Sequence, residues 1–203
     1  MSRLLKTIAS VSIYLAAIFP VIAQQPTTPQ GKVEAFHAAL IDVMKQAKTL
    51  GVEDRFKILK PSVENSFDFK LMIALASGKY WRTATDTRQT KLKSAFARFS
   101  VATYADRFSG FSGEAFKTLS VVNGPRRTML VRTQITRPNN TPVPLTYVTR
   151  MRDGEWRIID VLVDDGISEL AVRRSEYRSV LKERGISGLI SLLETKTKKL
   201  LQP

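Results

Sequence analysis

The chain has 203 residues, enough for one domain with a real core. It has no cysteine and one histidine, which excludes a disulfide scaffold, a thiol nucleophile and a metal site built from several Cys or His. With 32 Lys and Arg against 18 Asp and Glu it carries +14, so it is drawn to anionic surfaces: nucleic acid, acidic lipid or an acidic partner.

Residues 1–23 read as an export signal. Arg3 and Lys6 make a basic start, an apolar stretch runs from Ile8 to Val21, and Val21-Ile22-Ala23 precedes Gln24 as a small-residue cleavage site. The stretch is short for a bilayer span and ends at the helix breaker Pro20. No Cys follows it, so it is not a lipoprotein signal. The expected location is the periplasm. Export argues against nucleic acid and for anionic membranes or protein partners, although much of the charge is expected simply to solvate helix surfaces.

Residues 24–30 form a polar, proline-rich leader, and residues 31–203 are expected to form a single domain without internal repeats. From Lys32 to Lys48, Val33, Phe36, Leu40, Val43, Met44 and Ala47 recur at spacings of three and four, a helical stripe that stops at Gly51. A short helix with Phe56 and Leu59 is expected to break at Pro61. Asp68 can cap a helix carrying Phe69, Met72, Ile73 and Ala76, with Gly78 beyond its end. The next helix starts near Thr85-Asp86 and runs to Phe108, with Leu92, Ala95, Phe96 and Phe99 on one face.

The period then changes to that of strands. Leu119 to Val122 is β-prone and stops at Asn123-Gly124, a turn pair. Met129, Val131, Thr133 and Ile135 alternate with Leu130, Arg132 and Gln134, and Val143, Leu145, Tyr147, Thr149 and Met151 repeat the alternation after a proline-rich loop. Asp153-Gly154 marks another turn, and Trp156 to Val163 is a fourth strand. These strands predict an antiparallel meander with one face covered by helices, an α+β fold. Ser168 can cap a closing pair of helices split at Gly185.

Chemistry-bearing motifs are few. His37 sits on the polar flank of the first helical stripe, where a lone histidine is expected to be solvated. No HExxH is present, and Gly78, Gly110 and Gly113 form no phosphate-cradling loop. Asp160 stands inside an apolar strand and requires a buried partner, an arginine or a backbone donor. Asp164 and Asp165 suit a turn or helix start. Neither a catalytic residue, a metal site nor a cofactor is assigned.

Several segments, in order, resemble one family. Leu75-Ala76-Ser77-Gly78-Lys79-Tyr80-Trp81-Arg82-Thr83-Ala84-Thr85 is similar to the LGxYWRTAT segment of the MlaC / toluene-tolerance (Ttg2-type) family of periplasmic lipid shuttles. Phe67-Asp68, Val131 to Ile135, Pro142 to Leu145 with Tyr147, Asp153 to Val161 and Gly185 to Ile190 match too, so the resemblance covers nearly the whole exported chain. One departure stands out. Where such sequences place Glu-Gly-Val-Ser after the fourth strand, this chain has Asp164-Asp165-Gly166-Ile167-Ser168-Glu169-Leu170-Ala171, one residue longer and similar to the hopanoid-associated HpnM branch.

The resemblance implies an NTF2-like fold: a curved four-stranded antiparallel meander wrapped by N- and C-terminal helices, with an apolar cavity. It implies a carrier, not an enzyme, that moves a phospholipid or a hopanoid between an inner-membrane ABC-type or other lipid transporter and an outer-membrane acceptor. The basic charge and export lead us to expect transient contact with anionic membrane and no nucleic-acid partner, and the protein is expected to be a monomer. The lining residues expected on this basis are Leu71, Leu75, Trp81, Phe96, Phe99, Tyr104, Met129, Val131, Ile135, Val143, Leu145, Tyr147 and Met151. Arg132, Arg137 and Arg150 are expected to serve headgroup or docking contacts. Two other classes remain open: an NTF2-like acid/base enzyme using Asp160, and a basic module for an anionic polymer.

Overall fold

A computed structural model describes residues 28–164 and 166–202; the predicted export signal, most of the leader and Asp165 lie outside them. The element order is α1 (Pro29–Gln46), α2 (Val52–Ser66), α3 (Phe69–Ser77), α4 (Lys79–Arg82), α5 (Asp86–Arg107), β1 (Ala115–Asn123), β2 (Thr128–Thr136), β3 (Val143–Arg152), β4 (Glu155–Val163), β5 (Ile167–Ser168) and α6 (Glu169–Leu200).

α1 starts where the Thr28 side chain accepts a hydrogen bond from Gly31 N at 3.0 Å, with Pro29 in the first turn. Its predicted stripe of Val33, Phe36, Leu40, Val43 and Met44 is buried. His37, expected to be solvated, is buried instead, because Phe116 of β1 lies over that flank of the helix.

α2 corrects a second expectation, since it runs straight through Pro61. A proline inside a helix costs roughly 3 kcal/mol. Here α2 continues to bury Phe56, Leu59 and Val63, each stabilising by roughly 2 kcal/mol. Pro61 and Lys57 are both exposed, so the carbonyl that loses its partner lies on the solvent side. Asp68 caps α3 as predicted, accepting from Leu71 N at 2.9 Å. α6 is two helical segments joined at Gly185, whose φ of 60° and ψ of −160° interrupt the helix.

The sheet has five antiparallel strands in the order β1-β2-β3-β4-β5, one more than the four expected. The extra strand is only two residues long and pairs Ile167 with Val163. β1 begins at Ala115, earlier than its apolar residues suggest, because Ala115 to Thr118 pair with Thr136 to Thr133. The β1–β2 turn places Arg126 and Arg127, not Asn123, in the left-handed region. Gly124 matters there as a close approach: a Cβ would come within 2.4 Å of Thr128 Oγ1. Asp153-Gly154, both at positive φ, make the tight β3–β4 turn as predicted. Bulges between Thr118 and Ser120 and between Val148 and Thr149 bend the strands.

One face of the sheet carries Phe116, Val131, Leu145, Tyr147, Ile158 and Val161, and the helices cover it. α1 brings Phe36 against Tyr147. The α2–α3 junction is fastened to the β3–β4 end of the sheet. Phe67 bridges to Ile158, and Asp68 N donates to Ile158 O at 2.9 Å. Arg157 Nη1 donates to Asn65 O at 2.8 Å, and Arg152 meets the Asp68 carboxylate at 2.8 Å. Among the described residues, no helix is long and apolar enough to cross a membrane.

Candidate functional site

Where α3 and α5 part from the inner face of the sheet, they leave a cavity of about 620 Å³. Its interior is aromatic. Phe67 and Phe69 stack at 5.7 Å, and Phe96 meets Phe69 edge-on at 5.7 Å. Tyr104 and Tyr147 complete that part of the lining, with Phe36 packed behind them at 5.1 and 6.3 Å. Ile135, Leu145, Val161 and Val163 form the sheet-side wall. Burial, the largest cause in each case, pushes the Tyr104 and Tyr147 phenols above the usual tyrosine range, so both stay neutral.

Polar groups gather where the cavity opens. The end of α5 supplies Arg107, the loop before β1 supplies Ser112 and Glu114, β2 leads to Arg137, and the start of α6 supplies Glu169 and Arg173. Arg137 Nε lies 3.5 Å from Glu114, and Arg107 Nη1 lies 3.8 Å from Glu169. An apolar interior with charge confined to one opening can hold a hydrocarbon chain and leave its polar end at the mouth.

The expected lining residues divide among several places. Phe96, Tyr104, Ile135, Val143, Leu145, Tyr147 and Arg137 lie on this cavity. Leu71, Trp81, Met151 and Arg150 converge instead on a second hollow of about 390 Å³, at the other end of the sheet beside Asp68 and Arg152. Val131 and Phe99 are ordinary core, fully enclosed by other side chains. Met129 is half-buried opposite Thr149, away from the mouth. Leu75 is 48% exposed on α3, and Arg132 is exposed on the opposite face of β2 from Val131. Met44, Phe67, Phe69, Met72 and Phe108 line the cavity without having been singled out, because a helical apolar stripe looks the same whether it meets a core or a void.

Asp160 does not line the cavity. Its Oδ1 accepts from Val161 N at 2.8 Å and Leu170 N at 3.0 Å, and its Oδ2 accepts from the Ser168 hydroxyl. Ser168 Oγ in turn accepts from Ala171 N at 2.9 Å. Asp160 and Ser168 together therefore cap the start of α6, satisfying donors that a helix end leaves free.

A family model described as MlaC protein matches residues 34–195. Among solved structures, the fold matches that of a phospholipid-binding protein from Ralstonia solanacearum, solved in complex with a phospholipid. The TM-score is 0.74, covering 86% of this chain and 99% of that one at 19% identity. At that identity the likeness is one of fold.

Proposed function

The chain belongs to the MlaC protein family, and on that premise we propose that it is a periplasmic carrier that binds a phospholipid by its acyl chains and performs no chemical step. The observation that carries this reading is the 620 Å³ cavity, aromatic and aliphatic inside and charged only at its mouth. A two-chain lipid has about 30 methylenes, so withdrawing it from a bilayer exposes roughly 24 kcal/mol of apolar surface unless a protein encloses it. The cavity offers that enclosure, and release requires that it not greatly outbid the bilayer.

The rest of the reading follows the same premise. Residues 1–23 direct export and are removed, leaving one lipid-binding domain of NTF2-like type. The carrier works as a monomer between an inner-membrane lipid transporter and an outer-membrane acceptor. Three arginines at the mouth suit a phosphate, which favours a phospholipid over a hopanoid. The longer Asp164–Ala171 segment, similar to that of the HpnM branch, is what keeps a hopanoid in view.

Mass spectrometry of an organic extract of the purified protein tests the proposal. A stoichiometric phospholipid is expected. A hopanoid in its place would change the ligand, and a lipid-free protein that turns over a small substrate would overturn the carrier reading.

A further inference from the structure

Glu114 is an unusual residue to find on this cavity. Its side chain is only 8% exposed, yet its partner Arg137 is 59% exposed and stands 3.5 Å away. Its Oε2 accepts from Ser112 N at 2.6 Å. A carboxylate offers about four acceptor positions, and a buried one is stable only when they are used. One backbone donor and one loosely held guanidinium leave Glu114 with acceptor capacity where it borders the void.

The helix side of the mouth carries the opposite charge. Arg173 is 17% exposed, held by Glu176 at 3.1 Å and lying over the Phe99 ring at 4.9 Å. Arg107 is 3.8 Å from Glu169. The opening therefore presents guanidinium groups from α5 and α6 and a buried carboxylate from the residue just before β1.

Resting on the carrier reading above, we propose that this mouth is a headgroup subsite for an amine-bearing, zwitterionic phospholipid. Arg107 and Arg173 take the phosphate, and Glu114 takes the primary ammonium. An ammonium brings three N–H donors to a carboxylate short of them, and charge-assisted bonds of this kind are the strong ones. A glycerol headgroup brings the phosphate but no cation, and leaves Glu114 beside a net negative ligand. A hopanoid polyol brings neither charge.

The test loads the lipid-free, exported form from vesicles holding equal amounts of phosphatidylethanolamine and phosphatidylglycerol, and weighs the bound lipids by mass spectrometry. Wild type is expected to enrich the ethanolamine lipid about tenfold, the worth of one hydrogen bond to a charged group. Glu114→Gln, which can still accept from Ser112 N, is expected to bring the ratio close to one. Glu183→Gln, an exposed carboxylate outside the cavity, should keep the wild-type ratio. Should Glu114→Gln fold poorly, wild type alone decides: successive N-methylation of the ethanolamine removes donors, and loading should fall at each step. Equal loading by wild type, a ratio unmoved by Glu114→Gln, or indifference to methylation overturns the headgroup assignment and leaves the carrier reading standing. No loading of any lipid overturns both.

Discussion

His37 lies flat against Phe116, with ring centroids 3.9 Å apart and planes 10° from parallel. Its Nε2 is buried with no hydrogen-bond partner among the described residues. Tyr147, which lines the cavity, meets the same imidazole edge-on at 5.1 Å. The ring therefore behaves as part of the aromatic core, and a charge on it would be costly.

That burial lowers the His37 pKa to about 4 from a reference of 6.5. The unfolded chain therefore binds a proton first as pH falls. Stability contributed by neutral His37 is complete above about pH 6.5, declines towards pH 4 and is level below it, a loss of roughly 3 kcal/mol. Urea unfolding at a series of pH values should show this slope. His37→Phe should remove it and should cost little at neutral pH, since it also removes the unpaired nitrogen. A slope of unchanged size in the variant would assign the effect to other groups.

Leu145 and Val131 lie on the same face of the sheet but should respond differently to added bulk. Val131 is fully enclosed, so Val131→Trp overpacks a dense core at a cost of about 1–3 kcal/mol or more. For a chain of this size each kcal/mol lowers the melting temperature by roughly 2–4 °C. Leu145 borders the void, so the ring of Leu145→Trp can occupy it. That variant should melt near wild type while its co-purified lipid falls severalfold. Equal melting losses in both would mean that the wall at Leu145 is packed as tightly as the core.

Asp160→Ala removes three accepted hydrogen bonds, two from Ser168 and Leu170 at the start of α6 and one from Val161 N in β4. Leaving those donors without a partner should cost about 1–3 kcal/mol, read as a lower urea midpoint with unchanged slope. Lipid bound per folded molecule should stay at the wild-type level. Loss of a catalytic turnover in a stably folded Asp160→Ala protein would instead revive the acid/base reading.

Gly185→Ala separates two accounts of α6. Helix propensity alone predicts a gain of about 1 kcal/mol. At φ 60° and ψ −160°, however, the backbone sits where essentially only glycine is comfortable, although nothing lies within 4 Å of an added Cβ. The expected result is a loss of about 1–3 kcal/mol in equilibrium unfolding. A gain would mean that the two segments can merge into one straight helix.

The layers of this fold are legible in the sequence wherever a period is sustained. The stripe from Val33 to Met44, the alternation through β2 and β3, the Asp153-Gly154 turn and the Gly185 break all carry their structure in local residue order. Pro61 misleads because a strong local signal meets a buried stripe that continues past it. β5 is too short to have a period. The cavity is harder still. Val131 and Leu145 read alike, and only their positions along the sheet, one under the helices and the other beside the gap, make one core and the other wall. Nothing in the sequence around Glu114 and Arg173 announces an opening.

The fastening of Asn65, Phe67 and Asp68 to Ile158, Arg157 and Arg152 has a mechanical consequence. It joins the two leaves of the molecule along one spine, at the end of the sheet remote from Val143 and Arg137. Leaves bound at a spine part most at the fore-edge, where a small rotation gives a large displacement. Any rotation of one leaf on the other would therefore widen the mouth between Val143 and Arg137 far more than it would disturb Phe67 against Ile158.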